Sequence, residues 1–139
     1  MRRTRAQTGN ALIEFAVSLL LLSAVFAGVF QIGYTFYTYN ALVNAVRAGA
    51  RYASMLPRSA ANADAAAAVR NLVVYGDPAP GADAKPVAPR LSTENVELVQ
   101  APGFSTVSLR GFELDTVFTH VKLDGRPTVT FPVTRGAAQ

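Results

Sequence analysis

Residues 9–34 read GNALIEFAVSLLLLSAVFAGVFQIGY, and this stretch decides the fold. No charged side chain occurs from residue 15 to residue 46, and 15–30 is apolar apart from Ser18 and Ser23. Serine hydroxyls can bond back to helix carbonyls, so the whole run can cross lipid. At about 1.5 Å per residue, 14–34 covers roughly 30 Å, the thickness of a hydrocarbon core. The sequence predicts one membrane-spanning helix, placed at 10–39. Tyr34, Phe36, Tyr37 and Tyr39 stand at its far end, rings of the kind that settle among headgroups.

Charge orients the span. Arg2, Arg3 and Arg5 precede it, whereas the far side offers Arg47 and Arg51 and then a long, nearly neutral region. The positive-inside bias puts the N-terminus in the cytoplasm and the rest of the chain outside the cytoplasmic (inner) membrane, periplasmic or extracellular. A cleavable secretory signal is the rival reading, because small residues occur around Ala24, Ala27 and Gly28. Against it, the charge-free run is about twice a usual signal core, and it continues as a helical pattern.

Composition closes several other routes. The net charge of +4 comes largely from the three leading arginines; residues 6–139 carry ten basic and nine acidic groups, with no basic face interleaved with aromatics, so no nucleic-acid partner is expected. With no cysteine and one histidine, His120, no thiolate chemistry, metal centre or cofactor site is expected. No nucleophile and base pair or phosphate loop can be assembled either, so neither catalytic residues nor a small-molecule substrate are expected.

Glu14 stands inside the apolar helix, where a carboxylate costs a few kcal/mol even on generous insertion scales. Two readings are open. It is a flanking acid that reaches back to the headgroups, or its charge is balanced by a cation from another chain. Further along, Ala24, Gly28 and Gly33 give small-residue points for close helix approach in lipid.

Beyond the span the helix runs on. Leu42, Ala45, Val46, Gly49, Tyr52, Ala53 and Leu56 recur at three-and-four spacing, with Asn44, Arg47 and Arg51 opposite, and Pro57 ends the run. A second, Ala-rich helix is predicted over 59–75, its contacts Val69, Leu72 and Val73 and its stop Gly76-Asp77-Pro78. Residues 40–75 are thus extracytoplasmic helices, and 76–90, GDPAPGADAKPVAPR, a connector too rich in Pro, Ala and Gly for regular structure.

Over 91–135, four segments of period two follow: Val96 and Leu98; Val107 and Leu109; Val117, Thr119, Val121 and Leu123; Val129, Phe131 and Val133. With turn signals at Pro102-Gly103 and Asp124-Gly125, they predict an antiparallel meander whose apolar face covers the helix stripe. His120, Glu113 and Asp115 are expected on solvated strand faces. The predicted class is α+β: a long transmembrane spine helix, a short second helix and a small packed meander.

The leader arginines, Gly9, the stretch Asn10-Ala11-Leu12-Ile13, then Glu14-Phe15 and a long apolar helix resemble the processing site of type IV prepilins. The run ALIEFAVSLLLL, then Gln31-Ile32-Gly33-Tyr34, then ALVNAVRAGARYAS at 41–54, is similar to the TadE-like proteins, minor pseudopilins of tight-adherence (type IVc) pili. The resemblance spans roughly residues 6–56. It implies a pilin-like fold, a leader peptide at 1–9, cleavage between Gly9 and Asn10 by a prepilin peptidase, and an assembly role for Glu14 beside Phe15. It also implies the membrane, other pilin or pseudopilin subunits and the inner-membrane Tad assembly platform as partners, in pilus assembly, adhesion or secretion machinery. Asn10 departs from the phenylalanine common in other pilin classes, which leaves N-methylation open. An exported or membrane-anchored binding domain with an ordinary signal or anchor is the alternative.

Overall fold

The computed structural model describes residues 5–56, 63–115 and 120–133, with first-helix side chains described from Gly9 onward. Helix α1 (Arg5–Met55) is followed by α2 (Ala63–Tyr75), a 3-10 turn (Thr93–Asn95) and strands β1 (Val96–Ala101), β2 (Phe104–Leu109), β3 (Phe112–Asp115), β4 (His120–Leu123) and β5 (Thr128–Pro132). The α+β class is as predicted. The predicted stop at Pro57 and start of the second helix at Ser59 lie outside the described residues, as do Val117 and Thr119. The chain divides into two compact units, one up to Tyr34 and the other from Thr35.

The first unit is helix alone. Apolar side chains on every side of it are exposed, among them Leu12, Phe15, Leu20, Phe26 and Phe30. A helix apolar all round is stable only where something other than water covers it. The rings of Phe30 and Tyr34, one turn apart, stack at 6.4 Å.

The second unit holds a single core. Of the predicted stripe, Leu42 and Val46 are fully covered, Ala45, Gly49 and Ala53 nearly so, and Tyr52 and Leu56 only partly; Ala50, which the stripe does not include, is also fully covered, while Asn44, Arg47 and Arg51 face solvent. Fully burying an aliphatic side chain such as Leu42 or Val46 contributes about 2 kcal/mol. The sequence assigns the cover of this stripe to the sheet, but α2 takes its centre. A Cβ built on Gly49 would overlap Val73 Cγ2 and lie 3.8 Å from Val69 Cγ1, so the missing side chain is what lets the two helices approach. On α2 the buried residues are Val69, Val73 and Val74, with Leu72 only partly covered; Val74 replaces Leu72 as the third core contact.

Helix α2 begins with Asp64 in its first turn, favourable to the helix dipole, and ends where predicted. Gly76 takes φ 76° and donates its N–H to Leu72 O at 2.9 Å, a left-handed cap that a residue with a Cβ adopts only at a cost. The Pro/Ala/Gly-rich segment that follows has no regular structure but is pinned. Val87 N–H donates to Val74 O at 2.7 Å, Ala79 N–H to Asp77 Oδ1 at 2.9 Å, and Ala88 and Leu91 enter the core.

The predicted single meander is instead two sheets. β2 is central in a three-stranded antiparallel sheet of order β1-β2-β5, and β3 pairs with β4 in a separate two-stranded one. The β1–β2 hairpin turns at Pro102-Gly103 as predicted, with Gly103 at φ 100°. Register then places Val96 opposite Leu109, Leu98 opposite Val107, and Val107 opposite Val129, which lines up one apolar face. On the opposite face, beside exposed Val99 and Phe104, Thr106 and Thr130 share a 2.9 Å hydrogen bond, and Ser108 Oγ donates to Glu97 at 3.2 Å. A one-residue slip would exchange these faces. The third predicted segment fails as a meander strand because the sequence offers period two at 121–123 but not the nonlocal pairing: β5 reaches past β3 and β4 to β2, where Val129 and Phe131 join the core.

Candidate functional site

The candidate assembly segment lies in the first unit. Gly9 and Asn10 are already helical, four to five residues after α1 begins, and a Cβ at Gly9 would meet nothing within 4 Å. Glu14 is exposed among exposed apolar neighbours, Leu12, Ile13, Phe15 and Val17, and makes no ion pair among the described residues. Arg2 and Arg3 lie outside the described residues, as does the side chain of Arg5.

The three small residues do not form one stripe. Successive residues turn by about 100°, so Ala24 and Gly28 stand within about 40° of each other, whereas Gly33 falls about 140° away from Gly28. Ala24, Gly28 and Gly33 are all exposed, and nothing approaches either glycine. Glu14 and Gly28 lie within about 40° of each other on the helix, one above the other across Leu21. Helix geometry thus groups Glu14, Ala24 and Gly28 on one side and sets Gly33 apart.

Of the aromatic rings, Phe36 and Tyr37 are exposed, whereas Tyr39 lines a cleft of about 360 Å³ in the second unit together with Arg47 and Arg126. No local pattern marks that cleft, since Arg47 and Arg126 are 79 positions apart in the chain.

The strand residues expected to be simply solvated are paired. In the β3–β4 register Glu113 faces Lys122 and Asp115 faces His120. Lys122 Nζ lies 3.4 Å from Glu113, His120 Nδ1 lies 2.6 Å from Asp115 Oδ1, and Arg90 bonds Asp115 Oδ2. The hydrogen bond with His120, then that from Arg90, hold the Asp115 carboxyl below the ordinary carboxylate range. Arg90 reaches it from a left-handed backbone, φ 64°. The groups are largely exposed, so this is surface pairing of small energetic weight. No group of three or more His, Asp or Glu side chains able to hold a metal ion occurs among the described residues.

A single long apolar helix, uncovered over its membrane-length window, is unlike the core helix of a soluble fold, which is mostly buried. It has the length and composition of a membrane anchor, and it is joined in sequence to a small α+β unit. Residues 9–51 match the family model described as TadE-like protein, so that segment is similar to the TadE-like proteins of Tad pili. The matched residues take in the glycine at 9, Glu14, the span and the buried stripe as far as Arg51. TadE-like proteins are structural proteins of pili. No curated protein and no solved structure matches the chain.

Proposed function

We propose that the chain is a minor component of a Tad pilus, inserted as a precursor, cut after Gly9 by a prepilin peptidase, and recruited to its partners through α1. The observation that carries this reading is Glu14: a carboxylate on an apolar, uncovered helix, with no cation paired to it among the described residues. Cleavage after Gly9 makes Asn10 the new terminus, with a free α-ammonium, and Glu14 the fifth residue. Two such helices staggered by about one turn pair the amine of one with the carboxylate of the next. Neutralising both charges removes the few kcal/mol that either costs in lipid.

Because α1 begins before Gly9, the peptidase must unwind its first turns to reach the peptide bond. Glycine makes that inexpensive, since it disfavours helix by about 1 kcal/mol relative to alanine. In this scheme 1–9 is the leader, 10–39 the span, and the second unit lies on the extracytoplasmic side of the inner membrane. Ala24 and Gly28 supply the close helix contact beside Glu14, and Gly33 serves a different neighbour.

N-terminal sequencing and intact mass of the membrane-bound protein test the proposal. A start at Asn10 supports it. A start near Gly28 replaces it with an exported domain bearing an ordinary signal, and an uncut start with a simple anchored domain.

A further inference from the structure

Arg47, on the outward face of α1, and Arg126, after the Asp124-Gly125 turn, line one cleft of about 360 Å³ with Tyr39, Val43, Thr128 and Val129. No carboxylate lines it, and neither arginine joins an ion pair among the described residues, whereas Arg90 and Arg110 are both paired. Another cleft, about 240 Å³ around Arg90 and Asn95, includes Glu113 and an arginine already held by Asp115, so it offers no free positive site.

Two guanidiniums lining one cleft with Val43, Val129 and a phenol suit a ligand having an anionic oxygen group on a partly apolar body. The location narrows the class. Tyr39, Val43 and Arg47 occupy one face of α1, and Tyr39 stands two residues beyond Tyr37, in the aromatic group that ends the apolar run. The cleft thus flanks the stretch of helix that leaves the lipid, where phosphodiesters are the abundant anions. Arginine stems can lie along apolar surface while their heads reach toward such a layer.

We propose that this cleft binds the phosphate of an anionic phospholipid headgroup, fixing the second unit against the membrane surface. The proposal rests on the reading of α1 as a membrane span but on neither cleavage nor pilus assembly. A headgroup with net negative charge is favoured over a choline headgroup, whose own cation offsets its phosphate.

The test uses the full chain in nanodiscs of phosphatidylcholine, into which phosphatidylglycerol is introduced stepwise. Incorporation into discs is read first; failure there removes the span itself, not the cleft. The amide resonances of Gly125 and Thr128 are then followed. The expected result is a saturating shift with phosphatidylglycerol, weakened about fivefold by Arg47→Gln or Arg126→Gln and about 25-fold by both, since one basic residue near an anionic surface is worth about that factor. Arg70→Gln, an exposed arginine outside the cleft, leaves the response unchanged, and an unmoved Leu109 amide verifies that each variant is folded. Three results overturn the proposal: no shift; a shift indifferent to Arg47 and Arg126; or the same saturation from soluble glycerol 3-phosphate or a poly-glutamate peptide in phosphatidylcholine discs, which makes the ligand a free phosphate or an acidic protein segment.

Discussion

Gly49 of α1 sits so close beneath Val73 of α2 that a Cβ at position 49 would overlap the valine methyl. Val73 is fully buried and β-branched, so it cannot swing aside without disturbing Val69 and Val74. Alanine in place of a helix-interior glycine normally gains about 1 kcal/mol of helix propensity, but overpacking a filled core costs about 1–3 kcal/mol. The overlap here is deep, so Gly49→Ala is expected to lower stability by about 1–2 kcal/mol. In a double-mutant cycle, Val73→Ala should show a coupling above about 0.5 kcal/mol with it. Unfolding of the full chain in detergent, followed by circular dichroism, measures both; additivity would refute the contact.

Asn95 ties the entry of the sheet to the turn after β2. Its side-chain amide donates to Arg110 O at 3.1 Å and Gly111 O at 3.3 Å, and its oxygen accepts from Ser92 N at 3.2 Å and Ser92 Oγ at 2.9 Å. Asn95→Asp keeps the shape but turns a carboxylate against two carbonyls. A loss of about 1–3 kcal/mol is expected, with the amide proton of Arg110, bonded to Asn95 O at 2.8 Å, exchanging faster. Unchanged exchange would show that the knot carries no weight.

Ser105 is 1 % exposed on the inward face of β2, across from Phe131, and its hydroxyl has no hydrogen-bond partner among the described residues. A buried, unpartnered hydroxyl costs about 1–3 kcal/mol. Ser105→Ala should therefore leave stability unchanged or raise it by up to about 1 kcal/mol, opposite to the usual sign of a core substitution. A melting temperature several degrees lower would contradict this.

Asp115 gives a pH dependence of definite sign. Its carboxyl is held below the ordinary value near 3.9 by His120 and then Arg90, so the folded state favours the ionised form. That stabilisation is fully present above the unfolded value and disappears as pH falls through the folded one. Carbon-13 titration of the Asp115 carboxyl should show a midpoint below about 3.9, moving upward in Arg90→Gln. Protection of the β3–β4 hairpin should fall with it, and less steeply in Asp115→Asn.

The proposed assembly role separates two substitutions. Gly9→Ala should leave precursor in the membrane, heavier by the leader's nine residues, whereas Glu14→Ala should be cut normally yet fail to copurify with its partner subunits. Normal piliation in Glu14→Ala would remove charge pairing as the mechanism and leave the anchor intact.

The parts legible in the sequence are those that depend on neighbours along the chain. Leu42, Val46 and Ala53 announce a buried stripe because three-and-four spacing puts them on one side of any helix. Pro102-Gly103 announces its hairpin through backbone conformations local to the turn. The strand order was not legible, because period two at Val129 and Phe131 states which side faces inward but not which strand lies alongside.

Hydropathy and charge along one stretch were enough to predict a long apolar helix with an acid inside it, since transfer between water and lipid is a sum over individual residues. Which residues would meet across long loops was decided only by folding. The contact of α2 at Gly49, the pairing of β5 with β2, the charge cluster at Asp115 and the joining of Arg47 with Arg126 all depend on how closely separate elements can pack. Close packing is a property of shapes in three dimensions, and no local period encodes it.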